Sequence, residues 1–245
     1  MPRQPPPAEA HAGIRLYDRL RQRLPDFPDM PVIVADEIGR QIDALPERGV
    51  SPPASDYGIV APPFAVCFIE ADTVVDGVGL VQRGVLIEDY SALFRAGDLS
   101  PMIASGAPAG THWLMALSGF IRPVVQPGLF GYNGVLLIHL DQSGRLLDDT
   151  ERMQIVQVAH RGMPAAPVAD LAGHAPYALK AISAMHQRCQ ADKVTPPRQQ
   201  RRAAERQGVQ ALHEYYVLRV RPTYTPRNMR EVGQPTRAAS QRPIS

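Results

Sequence analysis

Three arginines, Arg198, Arg202 and Arg206, recur at every fourth position in the last fifth of a 245-residue chain. On an α-helix that spacing sets three guanidiniums along one side. Like charges four residues apart repel, so an anionic partner relieves them, and the planar guanidinium fork suits a phosphate group. Arg219 and Arg221 add cations on the alternating segment that follows, and Arg227 and Arg230 extend the series. The expected chemistry is contact with nucleic-acid phosphates, without base-specific readout, since no groove-reading motif is present. A solvated helix face is the competing reading of the same spacing. Arg201 is placed to pair with Glu205 one turn on.

The charge distribution agrees with a basic arm. Formal net charge is +2, but residues 186–245 hold 12 basic and 4 acidic side chains, a balance of +8. The first 185 residues hold 14 basic and 20 acidic side chains, a balance of −6. Such asymmetry separates a globular body from a polyanion-seeking segment. Only Lys180 and Lys193 are lysines. Proline, at 25 residues, is about twice its usual share, so much of the chain must be turn, linker or tail.

Other chemistry-bearing residues are less organised. His186 and Cys189 stand three apart, a spacing that offers two soft metal ligands, yet two ligands do not make a tetrahedral site. His112, His139, His160 and His174 would define an enzyme if they converged with an acid in a cleft. Asp141 reads as the first residue of a turn, and Asp148-Asp149 as an exposed loop. No phosphate-binding glycine-lysine loop, metalloprotease helix, nucleophile elbow or deaminase motif occurs, so no catalytic residue, metal site or cofactor is assigned. Cys67 and Cys189 are too few and too far apart for a disulfide framework, and Cys67 lies in an apolar run as a buried thiol. With no apolar leader behind the Pro-rich start, a reducing cytoplasm is expected. No apolar stretch approaches the roughly 20 residues that span a bilayer, so no membrane partner is expected.

The elements that must carry these residues follow from periodicity. Ile14, Tyr17, Leu20 and Leu24 share one face of a first helix, over 14–24. Pro31 suits the first turn of a second helix, reaching Leu45 with Val34, Ile38 and Ile42 inward. Residues 64–70 and 78–88 read as a β-hairpin, 134–140 as a strand, 153–158 as a further strand, and 112–121 as strand or short helix. Pro176 opens a helix over 176–190, with Ala178, Ile182, Met185 and Cys189 inward. Thr195 is a suitable N-cap for the arginine helix, Pro196 its first residue, and Gly208 its stop. Residues 213–222 alternate as a half-buried strand at a sheet edge, where Tyr215 and Tyr216 serve packing rather than base stacking.

The segment Val194-Thr-Pro-Pro-Arg198, then Arg201-Arg-Ala-Ala-Glu-Arg206, then Tyr215-Tyr-Val-Leu218, resembles a stretch of uncharacterised proteins from actinobacterial phages and mobile elements. There a Thr-Pro-Arg start opens a short Arg-rich helix and a Tyr-x-Val-Leu strand follows. In that group a His- and Trp-rich stretch comes next, whereas the one Trp here is Trp113. The resemblance spans about 194–221 and implies an accessory protein, without assigning a reaction. The expected architecture is α+β, a largely antiparallel sheet with flanking helices and flexible ends. Residues 11–222 form its single domain, with a basic helix-strand arm at 193–222. Residues 1–10 are a disordered lead and 223–245 a disordered basic tail. Nucleic acid is the expected partner; another protein, or an enzyme built on an unrecognised His/Asp pocket, are the alternatives.

Overall fold

A computed structural model describes residues 14–24, 26–43, 57–75, 79–99, 106–125, 131–147, 154–156, 168–187, 190–209 and 213–219. In chain order these give α1 (Leu16–Arg23), β1 (Val32–Val34), α2 (Asp36–Asp43), β2 (Val66–Val75) and β3 (Gly79–Asp89). Then come α3 (Ser91–Ala96), β4 (Trp113–Pro123), β5 (Gly131–Leu140), β6 (Gln154–Val156) and α4 (Val168–His186). The order closes with β7 (Gln190–Val194), α5 (Arg198–Arg206) and β8 (Tyr215–Arg219).

All eight strands join one sheet in the order β6-β5-β4-β3-β2-β1-β8-β7. The α+β class is as expected, but the sheet is mixed rather than largely antiparallel. β1 runs parallel to both its neighbours, with Ile33 opposite Ile69 of β2 and Tyr216 of β8. The remaining pairings are antiparallel, including the β2–β3 hairpin, where Cys67 faces Ile87 and Glu70 faces Gly84. The reason is the helix between β1 and β2, a crossover that returns the chain in the same direction.

Both faces of the sheet are covered. Ile33, Ile69, Val85, Leu117 and Ile138 pack with Ile38 of α2 and with Tyr177, Ala178 and Ile182 of α4. On the other face Val32, Phe68, Leu86 and Phe120 pack with Leu16, Tyr17 and Leu20 of α1. Cys67, Phe68 and Ile69 are therefore buried in succession, as a strand covered on both sides requires. Gly84 lets the Phe68 ring lie across β3, because a Cβ there would run into that ring and into Leu16.

Several boundaries differ from the periodicity. The expected helix over 31–45 splits into β1 and α2. Val32, Ile33 and Val34 are three consecutive β-branched residues, all buried, and they complete the sheet between β2 and β8. The Val34–Ile38 spacing that imitated a helix face crosses the boundary between the two. The helix expected from Pro176 begins at Val168, so Pro176 lies inside it. Ala178 and Ile182 do face the core, while Cys189 lies outside the described residues. α5 begins at Arg198 with Pro197 at the cap position. The Thr195 hydroxyl instead donates to Glu214 (3.1 Å). Gly208 does end the helix, with a positive φ of 71°. The segment read as strand or short helix over 112–121 is strand, spanning Trp113–Pro123, and β6 lies at the sheet edge. The strand expected at an edge, β8, is interior: β7, a run of Gln, Ala, Asp, Lys and Val, covers it. The lead 1–10, Val220 to Pro222 and the tail 223–245 lie outside the described residues.

Candidate functional site

α5 carries the arginine stripe. Its first turn has no acidic residue and no side-chain cap, and among its residues only Ala204 is buried. Ala204 packs with Ile14 and Val209, an anchor that fixes which side faces away. Arg198, Arg202 and Arg206 lie on the opposite side and are all exposed. Among the described residues no ion pair joins any of the three to an acid. The expected Arg201–Glu205 pair is not formed, and both side chains are exposed. Arg219 differs, because its Nε lies 2.7 Å from the Asp192 carboxylate across the β7–β8 pair. Arg221, Arg227 and Arg230 lie outside the described residues.

A second arginine site was not anticipated. Arg15, immediately before α1, is 12% exposed and reaches three carboxylates. Its guanidinium lies 3.4 Å from Asp36, 3.5 Å from Glu70 and 3.9 Å from Asp72, and 5.3 Å from the centre of the Tyr215 ring. The short β1 creates this arrangement. Where the strand ends, the Ala35 N–H donates to the Glu70 carbonyl (2.9 Å). One residue later the Asp36 side chain accepts the Asp72 N–H (2.9 Å), so a carboxylate continues the ladder into α2. Glu70 Oε2 accepts the Tyr17 N–H (3.0 Å), one of the donors that a helix start leaves unpaired. Gln82 connects Asp72 (3.4 Å) and the Ile14 carbonyl (3.3 Å) to Arg122 (2.8 Å).

Electrostatics in this cluster are dominated by burial. Burial opposes the charge on Arg15, but Glu70, Asp36 and Asp72 more than offset it and the guanidinium is held more firmly protonated than usual. The fully buried Glu70 carboxyl is pushed up to about 8 by burial, with Asp72 and Asp18 adding to the shift and Arg15 and the Tyr17 N–H opposing it. Burial also raises Tyr177 far above an ordinary phenol, reinforced by Asp36 and Glu70. The Tyr177 hydroxyl and Glu70 Oε1 have no hydrogen-bond partner. β2 runs on to Val75, past the end expected at residue 70, so Glu70 and Asp72 both lie inside the strand as an alternating pair of acids.

Among the described residues no ion pair joins His112 or His139 to an acid; the one histidine ion pair is His213 with Asp29 (3.3 Å). His139 is buried, its Nδ1 3.5 Å from the Thr111 hydroxyl, and burial lowers its pKa so the ring stays neutral. The Thr111 hydroxyl donates to the Pro108 carbonyl (2.8 Å), so its oxygen is left to accept from His139 Nδ1–H. His112 packs against Trp113, and His186 meets the Ala61 carbonyl (2.8 Å). The His160 and His174 side chains lie outside the described residues, as does Asp148-Asp149. Asp141 accepts from the Ser143 and Arg145 N–H groups, the turn role its position implied. Among the described residues no three His, Cys, Asp or Glu side chains are arranged to hold a metal, and no helix is long and apolar enough to cross a membrane. Compared with known proteins, the chain matches no family model, no curated sequence and no solved structure.

Proposed function

We propose that this is an accessory protein of the phage or mobile-element kind that residues 194–221 resemble, and that it grips nucleic-acid phosphates through α5. The observation that carries the reading is the contrast within the arm: Arg219 is neutralised by Asp192, whereas Arg198, Arg202 and Arg206 are exposed on the side of α5 opposite its apolar anchor. Three guanidiniums on a fixed helix, at about 6 Å rise between successive members, form a short cationic ridge. Such a ridge binds by displacing counterions from the phosphates and has no means of distinguishing bases.

The test is binding of a labelled duplex and a labelled single strand across a salt series. If each stripe arginine contacts one phosphate, replacing all three by alanine should reduce the slope of log affinity against log salt by about 2.7 on duplex. Absence of binding by the wild type at low salt, or an unchanged slope in the triple variant, would overturn the reading. Arg219→Ala should leave the slope close to that of the wild type.

A further inference from the structure

β8 and β7 of the C-terminal arm are strands of the sheet, β8 paired with β1, whereas α5 is attached through the α1 segment. Ile14 packs with Ala204 and Val209, Arg19 donates to Gln207 (3.0 Å), and Gln22 donates to the Gly208 carbonyl (3.5 Å). The His213 N–H donates to Asp18 (2.9 Å), the His213 ring lies 5.1 Å from that of Tyr17, and Arg15 covers Tyr215. The start of α1 is in turn held by Glu70, which accepts the Tyr17 N–H and faces Arg15.

That hold is loosely built. The three ion pairs of Arg15 measure 3.4–3.9 Å, longer than the roughly 2.7–2.9 Å of close charge-assisted bonds. The groups facing Glu70 are Arg15 and Asp18 from the α1 segment, Asp72 from its own strand and Tyr177 from α4. Asp36 of α2 and Tyr215 of β8 act on it through Arg15. An ionised Glu70 is therefore the third carboxylate around one guanidinium, and the buried Tyr177 hydroxyl donates no hydrogen bond to relieve it.

We infer that the Arg15–Glu70–Asp36–Asp72 cluster is a proton-operated latch: with a proton on Glu70 it holds α1, and through α1 the α5 helix, against the sheet. When Glu70 releases that proton to solvent, the two loosen together. The burial-driven rise of the Glu70 carboxyl to about 8 puts the transition in the neutral range. The inference does not depend on what α5 binds.

Amide hydrogen exchange on the full chain between pH 5 and 8.5 tests it. Amides of α1 and α5 should share one opening equilibrium, less protected than β4 and β5, and their protection factors should fall by up to tenfold per pH unit. Glu70→Gln, which cannot ionise, should remove that slope. Asp72→Asn lessens the opposition to an ionised Glu70, so its slope should end at a lower pH than in the wild type. The latch is overturned by a flat wild-type profile, or by a Glu70→Gln profile as steep as the wild type's. It is equally overturned if α1 loosens without α5, or if α1 and α5 never exchange faster than β4 and β5.

Discussion

Arginine occupies two contrasting settings in this protein, one exposed on α5 and one buried beside α1. On α5, Arg198, Arg202 and Arg206 stand in solvent around a helix anchored by a single buried alanine. Their mutual repulsion is screened, and removing them disturbs nothing packed. Arg15 sits among three carboxylates and over the Tyr215 ring, where each charge has lost most of its water. There the arginine is indispensable to the acids rather than to a ligand. The pair distances invert the usual intuition: the exposed Arg219–Asp192 pair closes to 2.7 Å, while no buried pair of Arg15 is shorter than 3.4 Å. Surface side chains are free to find ideal geometry, whereas Arg15 must compromise among acids fixed on α2 and β2.

The largest effect should come from Arg15→Met, which keeps the apolar stem and deletes the charge. With Glu70 holding its proton at neutral pH, this leaves Asp36 and Asp72 without their cation and should cost about 3 kcal/mol, the low end for a buried pair, read as the midpoint of a urea unfolding curve. A loss under about 1 kcal/mol would mean that the acids are solvated rather than buried.

Next comes pH. Glu70 has a folded pKa near 8 against an ordinary 4.5, so the folded state binds its proton more tightly than the unfolded state does. A raised carboxyl leaves stability intact below about 4.5, erodes it as pH rises, and has its full unfavourable effect above about 8. Between pH 5 and 7.5 this amounts to about 3 kcal/mol, from 1.36 kcal/mol per unit. Burial raises Asp18 too, which acts in the same direction. Urea titrations at a series of pH values should show the decline in the wild type and a much flatter profile in Glu70→Gln.

Smaller effects belong to the surface. Arg219→Ala should cost at most about 1 kcal/mol, and a double-mutant cycle with Asp192→Ala should return a coupling in that range. The triple alanine variant of Arg198, Arg202 and Arg206 should be within about 0.5 kcal/mol of the wild type in stability while losing salt-dependent binding. If that variant unfolds, the stripe is part of the packing and the contrast between the two arginine sites fails.

What was legible in advance follows the range of the interaction that specifies it. Two β-rich runs, 64–70 and 78–88, separated by a short segment, marked the β2–β3 hairpin, because hairpin pairing is local. Spacing alone placed three guanidiniums on one side of α5, since the 3.6-residue period is a property of the chain. The Asp141 turn was readable for the same reason. β1 was not: three residues are too few to show a period, and only the pairing of β2 and β8 on either side makes them a strand. Thr195 carried a cap signal, yet β8 brought Glu214 within reach of its hydroxyl, and the side-chain partner won. Arg15, Asp36, Glu70 and Asp72 are spread over 58 positions of chain, and nothing local links them. By itself the sequence determined the apolar strands, the helical spacing of the stripe and the charge split between body and arm. Only the tertiary structure decided that a parallel strand ends early between two longer neighbours. That gap brings one arginine and three acids together partly out of water, where their charges are less screened than at the surface.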